Sequence, residues 1–157
     1  MTDLLSLMRH NTLFRGLSDL QLGRLAQIMC REQYREGQTI VEQDGVGDSM
    51  YVIASGQVSV IMHGTRGAQR TALYLGTGQL FGEVALLDEG ARTATIAATQ
   101  DDTVVYALPR GAFNQLCGED HALGYTIMRN LATDLAFKLR HQNLDSSGLT
   151  GGTPGGA

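Results

Sequence analysis

From Gly37 onward glycine cuts the chain into short pieces, at Gly37, Gly45, Gly47, Gly56, Gly64, Gly67, Gly76, Gly78, Gly82 and Gly90. Glycine inside a helix costs about 1 kcal/mol relative to alanine, so this punctuation argues against long helices in the middle of the chain. The pieces between are rich in residues that fit a pleated, half-buried surface: Thr39–Glu42, Met50–Ala54, Val58–Met62, Thr71–Leu75, Thr93–Ala98 and Val104–Leu108. Many short strands with frequent turns predict an antiparallel β jelly-roll sandwich over residues 35–108.

The flanks have a different period. Leu4, Leu5, Leu7 and Met8 suit a short amphipathic helix, broken by residues 11–16. Ser18 with Gln21 forms a capping box for a second helix, and Leu17 with Leu22 a hydrophobic staple. Leu22, Leu25, Ala26 and Met29 give that helix one apolar face, so helices are expected over residues 3–31. On the other side, Pro109 suits the first position of a helix continued by Ala112, Phe113, Leu116 and Cys117. Gly118 interrupts it as a plausible hinge. A longer helix is expected from about Asp120 to Asn143, with Leu123, Ile127, Leu131, Leu135 and Leu139 spaced by four. Residues 145–157, mostly Ser, Gly and Thr, read as a flexible tail. The fold class is therefore α+β, mainly β: one domain over residues 1–144, with a jelly roll between N-terminal and C-terminal helices.

Several function classes are disfavoured. A net charge of −4 argues against a general binder of nucleic acid or of a membrane surface. No apolar run approaches a membrane span, and the first residues lack a signal-peptide layout, so a cytoplasmic location is expected. Cys30 and Cys117 both fall among apolar residues of expected helices and read as buried free thiols. A jelly roll could also house a metal enzyme of the cupin type, but His10, His63, His121 and His141 are scattered. Gly76-Thr77-Gly78 lacks the Lys-Ser/Thr pair of a phosphate loop. The expectation is a protein with no enzyme activity, metal or cofactor.

One stretch carries specific chemistry: Phe81-Gly82-Glu83-Val84-Ala85-Leu86-Leu87-Asp88-Glu89-Gly90-Ala91-Arg92-Thr93-Ala94-Thr95. It reads as a short strand, a glycine, one helical turn, a tight turn and a second strand. Gly82 lets the backbone approach a bound group, since no Cβ holds that group away. The amides of Glu83, Val84 and Ala85 would then be donors at the start of a helical turn, a place for an anion. Val84, Ala85, Leu86 and Leu87 are too apolar for an exposed loop, so the turn should pack on a core. Arg92, the only base in the stretch, suits phosphate, which a guanidinium clamps with two parallel hydrogen bonds. Glu83 sits badly beside a phosphate unless its carboxylate turns away to accept from hydroxyls. A ligand with one phosphate and one sugar hydroxyl answers both needs.

The stretch closely resembles the phosphate-binding cassette of the cyclic nucleotide-binding domain family, with its F-G-E-x-A-L, short gap and R-[TSA]-A pattern. The turns at Glu36-Gly37, Asp44-Gly45, Gly47-Asp48 and Ser55-Gly56 match as well, so the resemblance runs from about Phe14 to Phe113. It implies a sensor or regulatory module for cyclic AMP or cyclic GMP, with cyclic AMP favoured. Glu83 would hold the ribose 2′-hydroxyl and Arg92 the cyclic phosphate, with Gly82, Val84 and Ala85 offering amides and Phe81, Thr93 and Ala94 completing the site. A Thr93 hydroxyl can bond the phosphate or a guanine amino group. In dimeric regulators of this fold the long C-terminal helix is both lid and dimer seam, which places Gln142 and Asn143 nearest the base. A homodimer through that helix and a separate effector protein are the partners implied. The alternatives are a sandwich that keeps the motif without the ligand, and the cupin-like metal enzyme.

Overall fold

A computed structural model describes residues 3–64, 69–88, 90 and 92–150, with the backbone alone for 69, 72 and 142–150. Three N-terminal pieces, α1 (Leu4–Arg9), a 3-10 turn (Thr12–Phe14) and α2 (Asp19–Gln27), precede the strands. The strands are β1 (Cys30–Tyr34), β2 (Thr39–Val41), β3 (Ser49–Ser55), β4 (Gln57–His63), β5 (Gln69–Gly76), β6 (Leu80–Phe81), β7 (Thr95–Ala98) and β8 (Thr103–Pro109). A second 3-10 turn, Glu83–Leu86, lies between β6 and β7, and helices α3 (Arg110–Glu119) and α4 (His121–Thr150) follow. The strands form two four-stranded antiparallel sheets, ordered β1-β8-β3-β6 and β2-β7-β4-β5. This is the mainly antiparallel β-sandwich expected from the glycine spacing.

β3 shows how the layers share the chain. Its Tyr51 and Ile53 enter a cluster with Val58, Phe81, Ile96, Val105 and Ala107 that draws on both sheets. Its Met50 and Val52 point the other way, into a cluster with α1, α2, α3 and α4. A strand covered on both faces reads as a continuous apolar run rather than an alternating one, which is why Met50–Ala54 stood out. The capping box of α2 is formed: Gln21 N–H donates to Ser18 Oγ at 3.1 Å, and Ser18 N–H to Gln21 Oε1 at 2.9 Å.

Four boundaries differ from the sequence expectation. The N-terminal helices stop at Gln27, and Cys30, expected in a helix and buried, is exposed at the start of β1. The pattern Cys30-Arg31-Glu32-Gln33-Tyr34 is too polar to signal a strand, but β8 supplies its register, Cys30 opposite Ala107 through Tyr34 opposite Thr103. Pro109 closes β8 and is the N-cap of α3, one residue before the position expected. The break between the last two helices falls at Asp120 (φ −138°, ψ 88°), not at Gly118, which lies within α3. An aspartate offers what glycine lacks there: its Oδ1 accepts from Leu123 N–H at 3.0 Å and caps α4. Finally, α4 continues past Asn143 to Thr150 into the stretch read as a tail. Extending a formed helix adds a hydrogen bond for each residue fixed, and the next proline is Pro154. The expected hairpin tip Gly64-Thr65-Arg66-Gly67 falls largely on residues outside those described, as do tail residues 151–157.

The stripe along α4 divides. Leu123, Ile127 and Leu131 are fully buried and Leu135 partly so, against the N-terminal pieces and α3, while Leu139 is 59% exposed. Asn130 Nδ2 donates to Leu13 O at 2.8 Å and Arg15 O at 2.9 Å, tying the first half of α4 to the 3-10 turn below it. Gly124 sits where a Cβ would come within 2.9 Å of Cys117 Sγ, so α3 and α4 pack at a distance that only glycine permits. Neither cysteine is in a disulfide.

Candidate ligand-binding cavity

From Phe81 to Leu86 the chain follows the sequence reading, while the second strand begins at Thr95 and not at Thr93. β6 ends at Phe81, Gly82 adopts φ 75°, ψ 18°, and Glu83–Leu86 makes one 3-10 turn. That φ is a left-handed conformation costly to residues with a Cβ. A Cβ at Gly82 would also collide with Arg92 Nη1 and come within 3.1 Å of Ser49 O. Gly82 is therefore fixed by its own backbone and by the guanidinium above it. Ala85 and Leu86 are buried, but Val84 and Leu87 are about half exposed, so only part of the apolar turn enters the core.

Beside this turn lies a cavity of about 350 Å³, at the lower end of the range for small-molecule sites. All eight residues named from the sequence line it: Phe81, Gly82, Glu83, Val84, Ala85, Arg92, Thr93 and Ala94. Its other walls are largely apolar, with Val41, Val60, Leu73, Leu75, Leu80 and Ile96 from the strands. Gln142 and Asn143 have side chains outside those described, and the α4 side chain in the lining is Lys138.

Arg92 is held from several sides. Its main chain pairs with the loop after β2: Asp44 N–H donates to Arg92 O at 2.8 Å, and Arg92 N–H to Gly45 O at 2.9 Å. Asp44 has φ 69°, an uncommon conformation for a non-glycine residue. In the side chain, Nη2 donates to Ser49 O at 2.6 Å, and the guanidinium carbon lies over the Tyr51 ring, 5.8 Å from its centroid. Arg92 Nε is buried and has no hydrogen-bond partner among the described residues. A buried, unpaired N–H on a cation is costly, which marks the Arg92 guanidinium as incompletely satisfied by the protein itself.

Glu83 occupies a second part of the lining. Burial holds its carboxyl above the ordinary carboxylate range, while Lys138 pulls the other way, as does its own main-chain N–H. Lys138 Nζ lies 3.9 Å from Glu83 Oε1 and 3.1 Å from Asp134 Oδ2 one turn back on α4. Of the three amides expected as donors, Ala85 N–H is already bonded to Gly82 O at 3.0 Å and Glu83 N–H to its own carboxylate. The side chains that bring positive charge to the lining are Arg92 and Lys138.

Lys138 and Arg110 went unnoticed in the sequence. Arg110, the first residue of α3, donates from Nη1 to Gly47 O at 2.8 Å, Asp88 O at 3.0 Å and Ala85 O at 3.1 Å. Its own N–H bonds Asp48 O at 2.8 Å. It ties the cassette and the loop before β3 to the start of the helix pair. Nothing in the local pattern around Pro109-Arg110-Gly111 signals that role, because its partners lie 22 to 63 residues away. No group of three or more metal-ligating side chains occurs among the described residues, and none of their helices is long and apolar enough to cross a membrane.

These features define a class: a β-sandwich domain whose cavity pairs a guanidinium with a carboxylate beside a glycine turn. The chain belongs to the cyclic nucleotide-binding domain family, whose model matches residues 31–120. It is 35% identical over 138 residues to the cyclic AMP receptor protein of Thermus thermophilus, covering 88% of this chain and 62% of that protein. It is 33% identical over 123 residues to a cGMP-dependent protein kinase of Caenorhabditis elegans, covering 78% of this chain and 16% of the kinase. The crystal structure of the Thermus thermophilus catabolite activator protein superposes with a TM-score of 0.77 at 34% identity, over 87% of this chain and 62% of that one. The chain thus spans less than two thirds of the length of these relatives.

Proposed function

We propose that the chain is a cyclic nucleotide sensor that binds cyclic AMP in preference to cyclic GMP and reports occupancy through α3 and α4. The observation that carries the reading is a cavity lined by both Arg92 and Glu83, in which two glycines, Gly82 and Gly47, leave no Cβ beside the guanidinium. The phosphate accepts from Arg92, and Glu83 accepts from the ribose 2′-hydroxyl once that hydroxyl competes with Lys138. The apolar strand side chains take the base. The preference for cyclic AMP rests on the receptor protein, which matches more of this chain than the cGMP-dependent kinase does. The protein's role is binding and not catalysis.

Two contacts lead out of the cavity. Lys138 joins Glu83 to α4, and Arg110 joins the cassette carbonyls to α3. Occupancy moves the helices only as far as the ligand prefers one arrangement over the other. Exposed Tyr125, Phe137 and Leu139 on α4 suit a homodimer seam, and an effector protein or a further domain would read the change. Titration calorimetry of nucleotide-stripped protein with cyclic AMP and cyclic GMP tests the reading. Saturable binding of either with the tighter affinity for cyclic AMP supports it, and no heat with either nucleotide leaves a sandwich that has lost its ligand. Thr93→Ala sharpens the base assignment: a loss confined to cyclic GMP puts the hydroxyl on guanine, and an equal loss for both puts it on the phosphate.

A further inference from the structure

Most side chains that steady a cation in a protein do so by accepting its protons, and a carboxylate also cancels its charge. Either would weaken a guanidinium meant for an anionic ligand. Arg92 is steadied differently. One N–H goes to Ser49 O, and behind the guanidinium lies an aromatic ring two residues along the same strand, Tyr51. A ring face attracts a cation through its quadrupole without taking any particular hydrogen, so the remaining N–H groups stay available. The ring is itself fixed: Tyr51 is 7% exposed and faces Phe81 across the β3–β6 pair, stacked at 4.8 Å between centroids and 12° between planes. Phe81 directly precedes Gly82, over which Arg92 Nη1 lies. The stack thus ties the strand that holds the guanidinium to the turn that forms the cavity floor.

We propose that Tyr51 is a positioning residue for anion recognition, its ring seating the Arg92 guanidinium at the wall of the cavity. This rests on the cyclic-nucleotide reading of the same cavity. The phenol can fill this place because it stays neutral: burial raises its pKa, and Glu32 and Asp48 add to that while Arg92 opposes it. An ionised phenolate there would compete with the ligand for Arg92.

The test has two readouts on the whole chain. The first is the Arg92 Nε–Hε signal in nitrogen-15 NMR without nucleotide, assigned by its loss in Arg92→Lys. Its shift and exchange rate should be kept in Tyr51→Phe and altered in Tyr51→Leu. The second is cyclic AMP affinity across a double-mutant cycle. Tyr51→Leu should weaken binding about fivefold to thirtyfold in the wild-type background, and by less than twofold in Arg92→Ala, while Tyr51→Phe stays within twofold of wild type. A ring that only fills space would lower affinity equally in both backgrounds, and that result overturns the proposal, as does an Arg92 signal indifferent to Tyr51→Leu. Thermal melts check that each variant is folded. An Arg92 signal that depends on the ring in a protein taking up neither nucleotide upholds the seat and removes the cyclic-nucleotide reading.

Discussion

The cavity has two polar ends of unequal construction. At Arg92 the main chain is paired on both sides with the Asp44–Gly45 loop, the guanidinium is bonded to β3, and two glycines leave it room. At Glu83 the partner is Lys138, a half-exposed side chain at the limit of ion-pair distance, on the stretch of α4 that leaves the core. The first end is set before any ligand arrives, which reduces the ordering cost of binding. The second end is adjustable. A sensor needs both: a fixed anchor for affinity and a loosely held group whose rearrangement is passed on.

The sharpest way to break this contrast is at the fixed end. Arg92→Ala should weaken cyclic AMP binding by about 2–4 kcal/mol, because the phosphate loses its charge-assisted partner, and Arg92→Lys should restore only part of it. Unchanged affinity by calorimetry would remove the anchor. Gly82→Ala comes next. Its left-handed φ should cost about 1–2 kcal/mol of stability in denaturant unfolding, and the new methyl group should push Arg92 aside and lower affinity as well. A variant as stable and as tight as wild type would show that the glycine floor is not needed.

The adjustable end should respond more weakly. Lys138→Met should change stability by no more than about 1 kcal/mol, because Lys138 is itself half exposed and only a 3.9 Å contact joins it to Glu83. It should also free Glu83 for the ribose, so that cyclic AMP binds as tightly as before or tighter. A large loss of affinity would mean that Lys138 grips the ligand itself. The smallest effect concerns pH. The folded carboxyl of Glu83 titrates above its ordinary value of 4.5, so the native state holds a proton that the unfolded chain has already released. Its contribution to stability is therefore greatest below pH 4.5 and falls as pH rises through the folded value. Glu83→Gln should remove that decline from unfolding curves measured across the window, and an identical decline in the variant would assign it to another group.

The two ends were not equally legible in the sequence. The cassette was, because its functional residues are contiguous and its glycine and acidic turn punctuate the strand pattern. Phe81 to Ala85 and Arg92 to Ala94 all line the cavity. What surrounds Arg92 was not, because Ser49, Tyr51 and the Asp44–Gly45 loop approach it from some forty residues away, and each looks ordinary in its own segment. β1 was missed for a related reason: its polar run becomes a strand through pairing with β8, not through its own pattern. At the C-terminal end, leucines spaced by four were legible as a helix, but spacing could not show that burial ends between Leu131 and Leu139. Gly118 drew the hinge two residues early because glycine marks flexibility, whereas Asp120 makes the break by capping.

Hydrogen exchange followed residue by residue, with and without saturating cyclic AMP, tests the contrast between the ends most directly. The account predicts little change in the Arg92 and Asp44–Gly45 amides, which are already bonded without ligand, and altered protection along α3 and α4, from Phe113 to Asn143. Repeating it at two protein concentrations separates closure within one chain from pairing of two. Protection gained in the Phe81–Thr95 stretch alone, with α3 and α4 unchanged, would contradict the account: the domain would bind its ligand without passing the event on through these helices.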